Sequence, residues 1–352
     1  MPSRVKAALL GASGYTGADL LRLGVNHPGL AFTLLTANTH AGKPMASVFP
    51  HLQMVELPDL VTNESVDWAS ADVEVVFCGL PHATSQKIVS EIQKARPGLK
   101  VIDMGADFRF DDPATYAKVY GTEHADPALQ KVTAYGLTEH NRDRIRDATI
   151  IACPGCYPTA TLLALIPLIK SGAIKTEDLI VDAKSGITGA GRGLKQNTLF
   201  SEAGESLSPY SVGNHRHAPE IEQELGKVAG GAITVNFTPH LIPMSRGELV
   251  TCHVKLGSAK NADDLRAALA DAYKDEPFVH VTDKAEMPAT GHVRGSNHCI
   301  VNVFNDRIPG RAIVIAAIDN LVKGSAGQAI QNFNVAFGWP ETTALEALPL
   351  FP

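Results

Sequence analysis

The sequence predicts an α/β protein with two domains, the first built on a parallel sheet and the second on a mixed or antiparallel sheet. In the first part of the chain, strand-like and helix-like segments alternate, as they do where helices connect parallel strands. In the second part, strand-like segments follow one another with few helices between them. The chain has 352 residues. That length exceeds one typical domain and suits two.

The first domain is predicted from short apolar runs separated by helical spacing. Strands are expected at residues 5–10, 31–36, 73–80, 100–104 and 149–152. Helices are expected at 15–26 and 84–95, where apolar residues recur with helical spacing. This order predicts helices on both faces of a parallel sheet.

The second domain is expected to begin near Cys153. A helix is expected at residues 262–273, and a last helix at 324–335 is expected to pack back on the first domain. The predicted strands of this domain cover residues 179–184, 234–238, 249–255, 278–282, 299–305 and 312–317.

Composition and charge exclude several classes of protein. Hydrophobic residues make up 45% and charged residues 19%, which is ordinary for a globular enzyme. The formal net charge of -6 gives no basic surface for nucleic acid, and no polybasic segment indicates an anionic membrane. No apolar stretch is long enough to cross a bilayer. The five cysteines, an odd and sparse set, favour reduced thiols in a cytosol over a disulfide framework.

Three glycines lie between the first predicted strand and the first predicted helix, in Gly11-Ala-Ser-Gly14-Tyr-Thr-Gly17. Glycines in this context allow a tight turn and bring the backbone close to a pyrophosphate at the helix N-terminus. The spacing is a variant of the usual pattern, and a plain glycine-rich turn is the alternative. The flanking elements favour a Rossmann-type dinucleotide-binding domain. The expected cofactor-binding residues of this loop are Gly11, Ser13, Gly14, Tyr15, Thr16 and Gly17.

The segment after the second predicted strand indicates NADP. An NAD-binding domain carries Asp or Glu about 20 residues after the glycines, where it grips the ribose. Here Thr36 to Lys43 contains hydroxyl, amide and cationic groups and no carboxylate. We therefore expect NADP, with Asn38 among its contacts. Leu80 and Pro81, at the carboxyl end of a predicted strand, are expected to border the same crevice.

Cys156 is the candidate nucleophile. It follows a strand and a Pro-Gly turn and precedes a helix expected to start near Pro158. The positive end of a helix dipole lowers a thiol pKa, and a thiolate attacks acyl carbon. A buried, inert role is the more common one for a cysteine. Cys153 and Cys156 also form C-x-x-C, so a redox-active or regulatory disulfide is a second alternative.

Six motifs recur together and cover nearly the whole chain. They are Gly11-Ala-Ser-Gly-Tyr-Thr-Gly17, Pro154-Gly-Cys156-Tyr-Pro-Thr159, Lys184-Ser-Gly-Ile-Thr-Gly-Ala-Gly-Arg192, His215-Arg-His217-Ala-Pro-Glu-Ile221, Thr238-Pro-His-Leu-Ile-Pro-Met-Ser-Arg-Gly247 and Asp319-Asn-Leu-Val-Lys-Gly324. In this combination the chain resembles the N-acetyl-γ-glutamyl-phosphate reductases of arginine biosynthesis. One departure is Cys153, where many members of that family have Asn.

The resemblance implies a semialdehyde-dehydrogenase-like architecture. Residues 1–153, completed by 319–352, are the expected dinucleotide-binding domain, and residues 154–318 are the expected catalytic and oligomerisation domain. It also implies that Cys156 is the nucleophile and that His217 is the acid/base, with His240 as the other candidate. A metal is not expected, because no third ligand accompanies His215 and His217 at a recognisable spacing.

The implied reaction is reduction of an acyl phosphate by NADPH through a thioester on Cys156, releasing phosphate and then N-acetyl-glutamate semialdehyde. Arginine suits the phosphate and carboxylates of such a substrate, and the candidates are Arg109, Arg192 and Arg246. Asn320 resembles a residue that meets the nicotinamide amide in related semialdehyde dehydrogenases. We expect a small-molecule substrate, a homodimer or homotetramer, and a cytoplasmic location.

Two other functions stay open from the sequence. An aspartate-semialdehyde dehydrogenase shares the architecture and the covalent chemistry, although the motifs around Cys156 and His217 argue against it. A non-catalytic NADP-binding sensor would need the glycine loop but neither of these two residues.

Overall fold

The structure is a computed structural model that describes residues 4–351. The expected domain bounds begin at Met1 and end at Pro352, so residues 1–3 and 352 of those predictions lie outside the described residues. The chain forms two compact units, one reaching Pro154 and including Ser325–Glu346, the other comprising Gly155–Gly324 and the residues from Ala347. Residues 319–324 and 347–351, expected in the first domain, therefore group with the second unit.

The first unit contains a parallel sheet, as predicted. Its strands follow the order β3-β2-β1-β4-β5-β7-β6. All five predicted strands are present, with ends that differ by one or two residues. β3 and β6 were not predicted, because two residues are too few to produce a periodic pattern. The strands are β1 (Val5–Leu10), β2 (Leu30–Thr36), β3 (Leu60–Val61), β4 (Val75–Cys78), β5 (Lys100–Asp103), β6 (Ala134–Tyr135) and β7 (Ile150–Ala152).

Helices connect these strands. Both predicted helices form, and the first ends two residues before its predicted end at residue 26. The remaining helices lie in segments that carried no clear apolar periodicity. The helices are α1 (Tyr15–Gly24), α2 (Met45–Val48), α3 (Ser85–Ala95), α4 (Pro113–Tyr120), α5 (Pro127–Val132) and α6 (Thr138–Asp147).

The second unit contains a mixed sheet, also as predicted. Its strands follow the order β12-β13-β14-β11-β8-β10-β9. The β8–β10 and β12–β13 pairs are parallel, and the other neighbours are antiparallel. The strands are β8 (Leu179–Gly186), β9 (Ser208–Pro209), β10 (Val235–Ile242), β11 (Glu248–Lys255), β12 (Val279–Val281), β13 (Cys299–Asn305) and β14 (Arg311–Ile318).

The helices of the second unit are α7 (Cys156–Lys170), α8 (Phe200–Ala203), α9 (His217–Ala229) and α10 (Ala262–Ala272). α7 packs on β11 and β14 and against α9 and α10. The helix predicted to start near Pro158 begins two residues earlier, because extended Gly155 caps the helix and Cys156 is its first residue. α9 was not predicted, although Ile221 and Leu225 are buried one helical turn apart.

The last helix, α11 (Gly327–Ala336), begins three residues later than predicted, because a π-helical turn occupies Val322–Ala326. It packs on α1 and α6, which confirms the expected return to the first unit. Across residues 4–351, the structure shows no helix with the length and apolar character needed to cross a membrane.

Gly11, at the start of the first crossover, lies close to the end of β4. Its φ is +76°, and a Cβ added there would lie 2.5 Å from the carbonyl oxygen of Gly79. The amide of Gly79 in turn donates to the carbonyl of Leu10, at 2.9 Å. The glycine loop is therefore held against the end of β4, where only a residue without a side chain fits.

Replacing Gly11 by Ala tests this close approach. Gly98 is a matched control, because its φ is +85° and no atom lies within 4 Å of an added Cβ. We expect G11A to lower the free energy of unfolding by roughly 1–3 kcal/mol more than G98A, since only the first combines backbone strain with a steric clash. Urea unfolding of both variants measures the difference. Equal losses would show that the contact with Gly79 is not restrictive.

Candidate active site

Cys156 is the first residue of α7 and is half-buried, whereas the other four cysteines are buried. Gly155 caps this helix without a side-chain hydrogen bond, and its own N–H donates to Oε1 of Glu220 at 3.0 Å. The first N–H groups of a helix have no partner within the helix and attract negative charge. Cys156 therefore lies where a thiolate and an oxyanion are both favoured.

Gly324 fixes the position of Cys156 from the π-helical turn. A Cβ added to Gly324 would lie 2.7 Å from the Cβ of Cys156 and 3.2 Å from its Cα. No larger residue fits there without moving the cysteine. π-helical turns occur often at functional sites, and this one brings backbone directly against the candidate nucleophile.

Two tyrosines and two histidines form a cluster next to Cys156. The Tyr157 ring lies 5.8 Å from the ring of His215 and 5.9 Å from that of His217, both edge-on. Tyr210 donates its hydroxyl to that of Tyr157 at 3.3 Å. Burial, and then the charge of Arg216, lower the pKa of His215 to about 4. His215 is therefore a neutral ring at physiological pH, and the acid/base role of His217 stays a prediction.

His240, the other acid/base candidate, directs its imidazole toward β8. Its Nδ1 lies 3.2 Å from the carbonyl oxygen of Ala183 and 3.3 Å from Oδ1 of Asp182. Its contact with the tyrosine and histidine cluster is made by its backbone, whose carbonyl oxygen accepts a hydrogen bond from the Tyr157 hydroxyl at 3.2 Å. Along β10, His240 alternates with buried Phe237, Pro239 and Leu241, which places its side chain on the opposite face of the sheet.

Glu248 is a site residue that the sequence reasoning missed. It is fully buried on β11, on the same face of the strand as buried Val250 and Cys252. Burial raises its pKa to about 8; the neighbouring Cys156 opposes the rise, and the charge of Asp319 adds to it. The sequence did contain a signal for Glu248: it is a single carboxylate on the apolar face of an alternating strand, directly after Arg246 and Gly247.

Three of the sequence motifs meet around Asn320. Its Oδ1 accepts the N–H of Gly247 at 2.9 Å, and its Nδ2 donates to Oγ1 of Thr188 at 3.0 Å. The N–H of Gly186 donates to the carbonyl of Gly247 at 2.9 Å. Asn320 therefore ties the loop after β8 to the turn between β10 and β11. A role toward nicotinamide stays a prediction.

The three candidate arginines lie in different surroundings. Arg192 is exposed in the loop after β8, and Arg246 is half-buried, 3.7 Å from Oδ1 of buried Asp319. Arg109 is buried in the first unit, where it donates to the carbonyls of Cys153, at 2.8 Å, and Met104, at 3.3 Å. The observed contacts tie Arg109 to backbone, and the substrate-binding role of all three stays a prediction.

Cys153 differs from Cys156 in its surroundings. It is 1% exposed in the first unit, its N–H donates to the carbonyl of Asp103 at 2.7 Å, and Asn332 donates to its sulfur at 3.5 Å. Burial raises the pKa of its thiol to about 12. All five cysteines are free thiols in the structure. A thiol with so high a pKa is a poor nucleophile for disulfide exchange.

The glycine loop has the features that a pyrophosphate needs. Gly14 caps α1 without a side-chain hydrogen bond, and Ser13 to Thr16 are half-buried. A Cβ added to Gly17 would lie 2.7 Å from the carbonyl oxygen of Ala12, so the helix packs closely on the loop. Leu80 lies against the same loop, 3.5 Å from a Cβ added to Gly11. The loop therefore fits a dinucleotide.

The Asn38 segment contains no carboxylate, but the fold brings one to it. Asn38 donates its Nδ2 to both carboxylate oxygens of Glu64, at 3.2 and 3.3 Å, and accepts the N–H of Asn63 at 3.0 Å. Sequence reasoning missed Glu64 because it follows 26 positions later, after β3. If Asn38 contacts the cofactor, the Glu64 carboxylate that accepts its Nδ2 hydrogen bonds therefore lies at the same place.

Among residues 4–351, no group of three or more His, Cys, Asp or Glu side chains is arranged to hold a metal ion.

Two family models match the chain. Residues 6–148 match the semialdehyde dehydrogenase NAD binding domain, and residues 156–320 match the semialdehyde dehydrogenase dimerisation domain.

Curated relatives cover the whole chain at high identity. An N-acetyl-γ-glutamyl-phosphate reductase of Rhodospirillum rubrum is 50% identical over 100% of both chains. A probable chloroplastic enzyme of the same name from Arabidopsis thaliana is 51% identical over 99% of this chain and 86% of its own length. The chain belongs to the N-acetyl-γ-glutamyl-phosphate reductase family.

Solved structures share the fold of this reductase family at low sequence identity. An aspartate semialdehyde dehydrogenase II from Vibrio cholerae has a TM-score of 0.73 at 20% identity, covering 96% of this chain and 99% of its own. A Candida albicans aspartate semialdehyde dehydrogenase has a TM-score of 0.68 at 18% identity, covering 95% and 98%. The expected semialdehyde-dehydrogenase architecture is confirmed.

The exposure of the five thiols in this member of the reductase family predicts selective alkylation. Iodoacetamide at neutral pH is expected to modify Cys156 first, because its sulfur alone is at a helix N-terminus and half-exposed. Peptide mass spectrometry over a time course measures the order, and denatured protein gives the reactivity of all five. Earlier modification of Cys153 would contradict the assignment.

Proposed function

We propose that this chain reduces N-acetyl-γ-glutamyl phosphate to N-acetyl-glutamate 5-semialdehyde and phosphate, with NADPH, in arginine biosynthesis. The observation that carries the proposal is the half-buried Cys156 at the start of α7, beside Tyr157 and His217. The full-length identity of about half with reductases of that name supports this substrate over an aspartyl one.

The first unit supplies the dinucleotide site in this proposal. The glycine loop and the start of α1 would hold the pyrophosphate, with Asn38, Leu80 and Pro81 around it. The resemblance to semialdehyde dehydrogenases makes Asn320 the proposed contact of the nicotinamide amide. NADPH, when bound, supplies the hydride. The close approach of Gly11 to Gly79 keeps this loop in the shape that the cofactor needs.

Cys156 forms and releases the covalent intermediate. Its thiolate attacks the γ-acyl carbon, the carbon–oxygen bond to phosphate breaks, and a thioester forms. The N–H groups at the start of α7 stabilise the oxyanion at this step. When the thioester carbon has been reduced, the carbon–sulfur bond breaks and the aldehyde leaves. A low thiol pKa serves both steps, since sulfur is first nucleophile and then leaving group.

His217 moves the proton. A group that titrates near neutrality is needed to deprotonate the thiol and to protonate the aldehyde oxygen. The Tyr157 ring lies edge-on to the imidazole of His217. The backbone N–H of His217 donates to Nδ1 of His215 at 3.1 Å, and this hydrogen bond holds the start of α9. His240 faces Asp182 instead.

Arginines bind the anionic groups of the substrate. Arg192 and Arg246 lie in the two loops that Asn320 joins, and their guanidinium groups suit phosphate and carboxylate. Arg109 is the third candidate. The second unit, which matches a dimerisation domain, supplies the contacts of a homodimer or homotetramer. We place this enzyme in the cytoplasm, although its plant relatives are named chloroplastic.

An NADP-linked, phosphate-dependent oxidation of N-acetyl-glutamate semialdehyde tests the proposed reaction. We expect turnover with this aldehyde and little with aspartate semialdehyde. C156S should lower kcat on the order of 10³-fold or more while NADP still binds, because only the nucleophile is lost. Turnover of aspartate semialdehyde alone would overturn the substrate assignment. Unchanged activity of C156S would show that the reaction does not proceed through a thioester on Cys156, and absence of turnover in the wild-type protein that still binds NADP would indicate a non-catalytic NADP-binding protein.

Replacing each histidine by Gln decides which of them is the acid/base. We expect H217Q to lower kcat by ~10²- to 10⁴-fold with a smaller change in KM, as loss of a general acid/base does. H240Q should change kcat little, because its imidazole lies with Asp182 on the opposite face. Steady-state kinetics over a range of pH measures both. A large loss in H240Q alone would exchange the two roles.

A further inference from the structure

Glu248 lies where β11 begins, and its side chain faces α7. In the sheet it pairs with Ser185 of β8 and with Ile318 of β14, and it is 0% exposed. Val250 and Cys252, which share its face of β11, are buried as well. α7 covers this face and carries Cys156 at its first turn. A carboxyl group in this position cannot reach water.

The Glu248 carboxyl group has no well-formed hydrogen bond to either oxygen. Asp319, the buried carboxylate nearby, differs in this respect. Its oxygens accept the N–H groups of Gly295 at 2.7 Å, Leu321 at 2.8 Å and Val322 at 3.1 Å. A buried charge needs such partners, so Asp319 carries the negative charge and Glu248 the proton.

The titratable and charged groups that act on Glu248 come from each neighbouring element. They are Cys156 and Tyr157 of α7, Tyr210 after β9, and Asp319 after β14. Burial raises the pKa of both tyrosines, so they stay neutral. Burial also raises the pKa of Glu248 to about 8, and Cys156 is the neighbouring side chain that opposes this rise.

We propose that Glu248 is a positioning residue for the thiolate: a neutral carboxylic acid whose O–H donates a hydrogen bond to Sγ of Cys156. This inference rests on the proposed reaction, since it concerns the nucleophile of that reaction. Glu248 keeps its proton throughout, so no covalent bond forms or breaks at its carboxyl group. The hydrogen bond stabilises the sulfur anion as nucleophile and again as leaving group.

The charge state of Glu248 decides whether it helps or hinders. A neutral donor stabilises a thiolate, whereas an ionised carboxylate in the same place would repel it and raise the thiol pKa. E248Q keeps a neutral hydrogen-bond donor of the same shape, and E248L keeps the bulk without a donor. E222Q is the matched control, because Glu222 of α9 is half-buried and accepts the Val235 N–H at 2.9 Å.

The experiment measures the rate of Cys156 alkylation by iodoacetamide from pH 5 to pH 10, resolved by peptide, in cofactor-free protein. We expect the pH midpoint of wild type to lie at or below that of E248Q. E248L should lie about one pH unit above E248Q, the tenfold effect of one charge-assisted hydrogen bond. E222Q should match wild type. A wild-type midpoint above that of E248Q, or equal midpoints in all variants, would overturn the proposal.

A second measurement covers the case in which the variants do not fold. Infrared titration of wild-type protein should show the carbonyl stretch of a protonated, buried carboxyl group at pH 7, lost as the pH rises through about 8. Its absence at pH 7 would also overturn the proposal. Neither measurement uses substrate. If the pH midpoints of alkylation follow the predicted order but N-acetyl-γ-glutamyl phosphate is not reduced, the proposed reaction is wrong and the role of Glu248 stands.

Discussion

The start of α7 is the constraint on which the chemistry of this chain depends. Its N-cap is Gly155, which has no side chain, and Cys156 is the first residue of the helix. Glu220 accepts the N–H of the preceding Gly155, and Gly324 lies so close to Cys156 that a side chain at position 324 would collide with the cysteine. The apolar remainder of α7 is buried on the sheet, so hydrophobic packing fixes the direction in which this helix end points.

Buried polar groups of the second unit are divided between charged and neutral forms by their hydrogen bonds. Asp319 is surrounded by backbone N–H groups and holds a negative charge, whereas Glu248 lacks such partners and takes a proton. His215 is kept neutral by burial and by the charge of Arg216, so of this pair only His217 is proposed to exchange protons. Burial, backbone hydrogen bonds and neighbouring charges, rather than residue type, therefore decide which of these groups is charged.

In the first unit, too, close approach of backbone segments determines the local structure. Gly11 and Gly17 allow β1, the loop and α1 to pack without side chains between them. Arg109 donates to the carbonyl of Cys153, and the N–H of that residue donates to Asp103, so the chain leaves β7 in a fixed direction. An arginine expected at the substrate thus has contacts that secure the segment leading to the nucleophile.

The sequence alone determined both sheets, the glycine loop and the candidate roles of Cys156 and His217, because these depend on local patterns and motif order. The two-residue strands could not be predicted because they are too short to show a periodic pattern. α9 could not be predicted because histidine and proline interrupt its apolar periodicity. The tertiary structure decided the rest: that His240 faces away, that Glu64 reaches Asn38, and that Glu248 meets Cys156. These pairings join residues distant in sequence, and burial and hydrogen bonding act only once the chain has folded.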